Sequence, residues 1–295
     1  MFLISSLAHK ICKFLVNNCI NVSSAGEIKT LLQVSLGNSL KDKLQSNRLE
    51  RYGYKIYSQS EEDGIIREIF NRIGIKHHSF IEFGVETGCE CNTLALLLTG
   101  WHGLWIEGNH EWSVIVKKRL KHFIDSNKLS VKEAFITKEN INSLISEYLS
   151  GEIDLLSIDI DGNDYYVLKE ITIVRPRVIV CEYNAKFRPP IRWTIPYNQN
   201  HIWDGSENYG MSLSLADELL KSKGYSLVAT GLEGVNAFFV RNDLLTNNGS
   251  ELFPYPHTPE HLYNPPRYYL TNIPSGQHVD EVIYPSQDFF VEIEK

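Results

Sequence analysis

Four short apolar runs, SFIEFGV (79–85), LWIEG (104–108), DLLSIDI (154–160) and RVIVCEY (177–183), recur from about residue 58 onward between stretches of helical period. Continuous apolar runs of this length are strands buried on both faces, and strands that alternate with helices pair in parallel beneath them. The pattern predicts an α/β fold, a doubly wound, mostly parallel, Rossmann-like sheet. One helix enters it at SQSEEDGIIREIFNRIG, with Ser58 and Ser60 as N-cap candidates, acidic residues in the first turn, and Ile65, Ile66, Ile69 and Ile73 on one side. A second helix, LSLADELLKSKGY (213–225), carries Gly224 near its end, and YSLVATG and NAFFVRN close the domain as a hairpin turning at Leu232 to Gly234.

The chain's 29 Lys and Arg against 36 Asp and Glu leave it acidic, so it has no general attraction for a phosphate backbone, and nucleic acid is a poor partner. Cys12, Cys19, Cys89, Cys91 and Cys181 are odd in number and lack paired CxxC spacing, which fits a reducing, cytoplasmic setting rather than a disulfide or zinc framework. Residues 2–20 are apolar but interrupted by His9, Lys10 and Lys13, too short and too charged to span a bilayer. Their spacing reads as an amphipathic helix, packed on the main domain, on a second subunit of a homo-oligomer, or on a membrane surface as a peripheral contact.

The strongest local signal is FIEFGVETGCECNTLALLL, a buried strand, a turn with Gly84 and Gly88, and a helix. Glycines let a backbone approach a ligand, and the helix start offers free N–H groups. The spacing E-x-G-x-x-x-G departs from the G-x-G-x-x-G pattern that serves a pyrophosphate. The next strand ends in Glu107, where a carboxylate can accept hydrogen bonds from both hydroxyls of a ribose.

With Asp159 at the end of a later strand, these motifs resemble the class I methyltransferase fold, and more narrowly the FkbM-type methyltransferases. The resemblance runs from about Tyr57 to Asn242 through YSQSEEDG, FIEFGVETG, WIEGN, LLSIDIDGND, VIVCEYN, GYSLVATG and NAFFV. It implies a seven-stranded sheet and methyl transfer from S-adenosylmethionine, often to a sugar hydroxyl. By that likeness Glu82, Gly84 and Gly88 surround the methionine and ribose parts of the cofactor. Glu107 holds the ribose, Ala134 or Phe135 borders the adenine, Gln59 lies near the amino-acid end, and Asp159 completes the set. The chain then divides into an N-terminal helical extension (1–56), a methyltransferase domain (57–245) with an acceptor loop (185–212), and a C-terminal tail (246–295) packed on the domain.

Asp159, Asp161 and Asp164 follow one predicted strand, and Glu182 and Asn184 end the next. In a parallel sheet these carboxyl ends form the ligand crevice. Asp159, Asp161, Glu182 and Asn184 would suit Mg²⁺ or another divalent cation, which would lower the pKa of a bound hydroxyl. Two other readings stand beside this: acids that merely cap the following helix, and a metal-free catalytic role. Asp161 or His201 is the candidate for taking the acceptor's proton. Arg188, Arg192, Trp193, Tyr197 and Trp203 offer rings and hydrogen bonders suited to a saccharide or other small-molecule acceptor. A protein, lipid or small amine as acceptor, a nicotinamide-dependent oxidoreductase, and a non-catalytic binding module are the competing classes.

Overall fold

The computed structural model describes residues 22–270; the apolar segment 2–20, with Cys12 and Cys19, and the tail beyond Leu270 lie outside the described residues. A helix, α1 (Val22–Asp42), leads to α2 (Glu62–Ile73), and a seven-stranded sheet follows: β1 (Ser79–Phe83), β2 (His102–Glu107), β3 (Leu129–Glu133), β4 (Gly151–Ile158), β5 (Val174–Glu182), β6 (Tyr225–Thr230) and β7 (Asn236–Arg241). Between the strands run α3 (Leu94–Leu98), α4 (His110–Arg119), α5 (Lys121–Asp125), α6 (Ile141–Ser146), α7 (Asp164–Glu170) and α8 (Leu213–Ser222). The strand order is β3-β2-β1-β4-β5-β7-β6, with β1 to β5 parallel and β7 antiparallel between β5 and β6. Order reverses between β1 and β4, which opens the crevice at their carboxyl ends.

β1 is buried along its whole length, as its unbroken apolar run requires, and Phe80, Ile81, Phe83, Leu155, Leu156, Val178 and Val180 form the middle of the core. The sheet's other end is held by Asp154, which accepts hydrogen bonds from the backbone N–H groups of Lys76, His77 and His78 and pairs with Arg177 at 2.7 Å. The β6–β7 hairpin inserts its second strand beside β5, so that Asn236 stands directly opposite Glu182. That pairing brings the start of β7 to the carboxyl ends of the parallel strands.

Neither Ser58 nor Ser60 is the N-cap of α2; Glu61 occupies that position without a side-chain cap bond. Ser58 acts from further out, its hydroxyl donating to Asp63 Oδ2 and accepting from Asp63 N–H. The same Oδ2 also accepts from the N–H groups of Ile56, Tyr57 and Ser58, at 2.7, 2.8 and 2.9 Å. One carboxylate oxygen thus folds the 56–60 segment over the helix start. Asp63→Ala would strand these donors, and we expect it to lower the unfolding free energy in urea by about 2–4 kcal/mol.

Residues 246–270 continue as a two-stranded hairpin and a short helix (Pro259–Leu262) laid against β6. Tyr255 OH donates to Val228 O, Thr230 Oγ1 to Leu262 O, and Tyr183 OH to Asn264 O.

Candidate active site at the carboxyl ends of the strands

Four strands end in an acid on this rim: Glu82 on β1, Glu107 on β2, Asp159 after β4 and Glu182 on β5. Their tasks differ. Glu82 Oε1 accepts from Asn92 N–H at 2.7 Å, and Oε2 accepts from the N–H and hydroxyl of Thr93. Trp105 Nε1 in turn donates to Thr93 Oγ1 at 2.8 Å. Burial raises the Glu82 carboxyl to about 7 against these hydrogen bonds. Its oxygens hold the end of the glycine turn and the start of α3.

Gly84 and Gly88 both have φ of +72°. A Cβ on Gly84 would stand 1.7 Å from the backbone carbonyl of Asp159, and one on Gly88 would stand 2.9 Å from the Trp105 ring. The two glycines allow β1 to close on β4 and the turn to settle on Trp105. Close approach of backbone to backbone explains Gly84 without a ligand.

Glu107 Oε2 accepts from Glu86 N–H and Oε1 from Asn109 N–H, both at 2.7 Å. Each oxygen keeps a further lone pair, which is what two ribose hydroxyls require. Burial raises this carboxyl as well. Beyond it, Ala134 N–H donates to Glu107 O, and Phe135 lies 45% exposed beside Gly108, an open aromatic at the end of β3. Gln59 is half-buried in the segment folded by Asp63, and its carbonyl accepts from Lys55 Nζ.

On the other side, Asp159, Asp161 and Glu182 offer oxygens that all lie within 4.8 Å of one another. Glu182 is 7% exposed, and its Oε2 has no hydrogen-bond partner. Asp159 is half-buried and Asp161 is exposed at the rim, yet loss of water around the carboxyls, and then the neighbouring acids, raise all three groups, Asp161 to about 6. Asp161 holds a left-handed backbone with φ of +53°, a conformation short polar side chains tolerate best. Asp164 is engaged elsewhere, accepting from Ile160 N–H and Gly162 N–H at 3.0 and 2.9 Å, so it holds the turn as a capping residue would. Asn184 is likewise committed: Nδ2 donates to Glu207 O, and Oδ1 accepts from Lys186 N–H. Its Oδ1 keeps one further lone pair.

The acceptor loop folds back over this cluster. His201 Nε2 lies 3.1 Å from Asp161 O, and its ring fills the space where any side chain at Gly162 would stand. Contact with a carbonyl places the proton on Nε2 and leaves Nδ1 as the acceptor of the neutral ring. Tyr197 donates to Glu139 and lies under Lys138 Nζ, and Trp203 Nε1 donates to Ser206 O.

Of the other loop candidates, Trp193 and Arg192 are held by other partners. Trp193 is 4% exposed and stacks on Phe187 at 3.9 Å, so it is core of the loop and not an open sugar platform. Arg192 is exposed and pairs with Glu218 through both Nε and NH2, and Arg188 is exposed. An apolar side chain in a long loop can just as well build the loop's own core, and sequence spacing does not separate the two uses. Residues that sequence reasoning missed are Glu62, Glu233 and Asn236. Asn236 Nδ2 donates to Glu62 Oε1 at 2.9 Å, and Glu62 Oε2 accepts from Ser60 N–H. Buried Glu233, facing Glu62 and Glu61, is raised well above the usual carboxylate range, first by burial. The signals for Glu62 and Asn236 were the acidic run Glu61 to Asp63 and the asparagine of NAFFV, and Glu233 sits in the hairpin turn with no pattern around it.

The sheet order and the inserted antiparallel β7 are those of the class I methyltransferase fold. Residues 93–227, a little under half of the chain, match the methyltransferase FkbM domain. The match takes in Glu107, Asp159, Asp161, Glu182 and the acceptor loop, and begins just after the glycine turn. No curated protein matches the chain. Similar solved structures include a candidate caffeoyl-CoA O-methyltransferase from Staphylococcus aureus (13% identity, TM-score 0.46, covering 72% of this chain and 99% of that one). Others are the N-terminal domain of EvdMO1 with S-adenosylhomocysteine and D-fucose (13%, 0.41, 67% and 99%) and magnesium protoporphyrin IX methyltransferase from Synechocystis with bound S-adenosylmethionine (11%, 0.39, 72% and 96%). Likenesses at this level say nothing about this chain's acceptor.

Proposed function

We propose that this methyltransferase acts on a hydroxyl of a carbohydrate or glycosylated product, with a divalent cation held by Asp159, Asp161 and Glu182. The observation that carries the reading is the orphaned, buried Glu182 oxygen within a group of three mutually repelling carboxylates. Such a group is costly to ionise until something positive sits in it. S-adenosylmethionine supplies an already activated methyl group, and the cation would supply positive charge that lowers the pKa of a hydroxyl. An amine or thiol acceptor needs no such help, so the cluster favours a hydroxyl. The chain's own part is to fix and dry the site: Glu107 binds a ribose, Glu82 stiffens the turn beneath it, and the loop from 185 to 212 covers the mouth. Asp161 or His201 Nδ1 receives the acceptor's proton.

The test is methyl transfer from labelled S-adenosylmethionine to a panel of glycosides and nucleotide sugars, with Mg²⁺, with Mn²⁺ and after chelation. Cation-dependent transfer to a sugar hydroxyl supports the reading. Transfer that survives chelation, or that appears only with amines or peptides, contradicts it.

A further inference from the structure

Exposed apolar residues of this protein are mostly scattered, but α4 carries three within four positions: Trp112, Val114 and Ile115, exposed by 36, 49 and 39%. Ser113 and Val116 are the residues α4 buries, so Trp112, Val114 and Ile115 stay in solvent together with Glu111, Lys118 and Arg119. Trp112 and Ile115, three apart, are neighbours on the helix surface, and Lys118 lies three beyond Ile115. Cations gather beside them. Residues 110–128 hold five Lys and Arg against Glu111 and Asp125, in a chain whose acids outnumber its bases overall. Some of this charge is internally spent, Lys121 pairing with Asp125, Lys117 lying 3.5 Å from Glu133 and Arg119 donating to Thr87 O, while Lys121 stays largely open to solvent and Lys117 partly so.

We propose that the outer face of α4 and α5 docks on an anionic membrane surface. Trp is favoured at the headgroup level of bilayers, aliphatic neighbours bury a few ångströms deeper, and each nearby lysine is drawn to acidic lipid. A protein partner fits less well, since lysine is depleted from protein interfaces while here it borders the apolar group directly. Among the described residues no helix is long and apolar enough to cross a membrane, so the contact is peripheral. The inference is independent of the methyl-transfer reading.

The full chain should co-sediment with phosphatidylcholine vesicles containing phosphatidylserine, not with pure phosphatidylcholine, and high salt should release it. Trp112→Ala with Ile115→Ala, and separately Lys118→Glu with Lys121→Glu, should each weaken binding about tenfold or more without lowering the melting temperature. Brominated acyl chains should quench emission that Trp112→Phe removes. Absence of vesicle binding would overturn the proposal. So would binding that both double variants retain, which assigns the contact to residues 2–20, or a change in self-association alone, which assigns the face to a second copy of the chain.

Discussion

Gly84→Ala is expected to leave no folded protein. The new methyl would sit 1.7 Å from Asp159 O, a backbone atom fixed where β1 pairs with β4, and the residue's φ of +72° disfavours any side chain. Relief requires parting the two central strands, a cost above roughly 4–5 kcal/mol in a fold whose whole stability is of the order of 5–15 kcal/mol. Gly74 is the control: its φ is +73° but a Cβ there meets nothing within 4 Å. Gly74→Ala should cost about 1 kcal/mol. Gly88→Ala, whose methyl would press on the Trp105 ring at 2.9 Å, should fall between them. Soluble yield and urea unfolding of the three variants give the ranking directly.

Asp161→Asn is expected to separate stability from activity. Asparagine keeps the shape and tolerates the left-handed backbone, but it removes one of three close negative charges. In the native state these carboxyls are raised, Asp161 to about 6 from an ordinary value near 3.8. The folded protein therefore binds more protons than the unfolded chain between those pH values. Asp161's contribution is fully present below about pH 4 and is lost as pH rises through about 6, and Asp159 and Glu182, raised further, extend the loss to higher pH. Without added cation, wild type should lose stability over that window, and Asp161→Asn should lose less and melt higher near neutral pH. Mg²⁺ should stabilise wild type at neutral pH and leave the variant unmoved, while methyl transfer by the variant falls about 10²–10⁴-fold. A variant that melts lower than wild type at neutral pH, or keeps full activity, contradicts the assignment.

How much of this was legible beforehand can be judged residue by residue. Apolar runs with an acid at or near their ends marked β1, β2, β4 and β5 and their rim, because a strand buried on both faces admits few polar residues, and those only with partners, as Asp154 and Arg177 have in each other. The helices between 110 and 125 belonged to the alternation but had no bounds of their own. Trp112, Val114 and Ile115 put apolar residues on the outer face of α4 and erase the helical period. Glu82 looked like a cofactor ligand, and only the coordinates show its oxygens held by Asn92 and Thr93. Trp193 looked like a sugar platform, yet its partner Phe187 lies six residues earlier in the same loop. Contacts of that kind follow no period. The register that sets Asn236 against Glu182 depends on a strand inserted out of chain order, which local sequence cannot announce.

The central claim, an S-adenosylmethionine site built on Glu107, is tested most directly by calorimetric titration with S-adenosylhomocysteine, with NAD in parallel. Wild type should bind S-adenosylhomocysteine with a dissociation constant of micromolar order and ignore NAD. Glu107→Ala and Glu107→Gln, checked for intact melting, should bind at least about tenfold more weakly, as loss of charge-assisted hydrogen bonds to the ribose requires. Folded protein that takes up no S-adenosylhomocysteine with or without Mg²⁺, or that binds it equally well in both variants, would contradict the account.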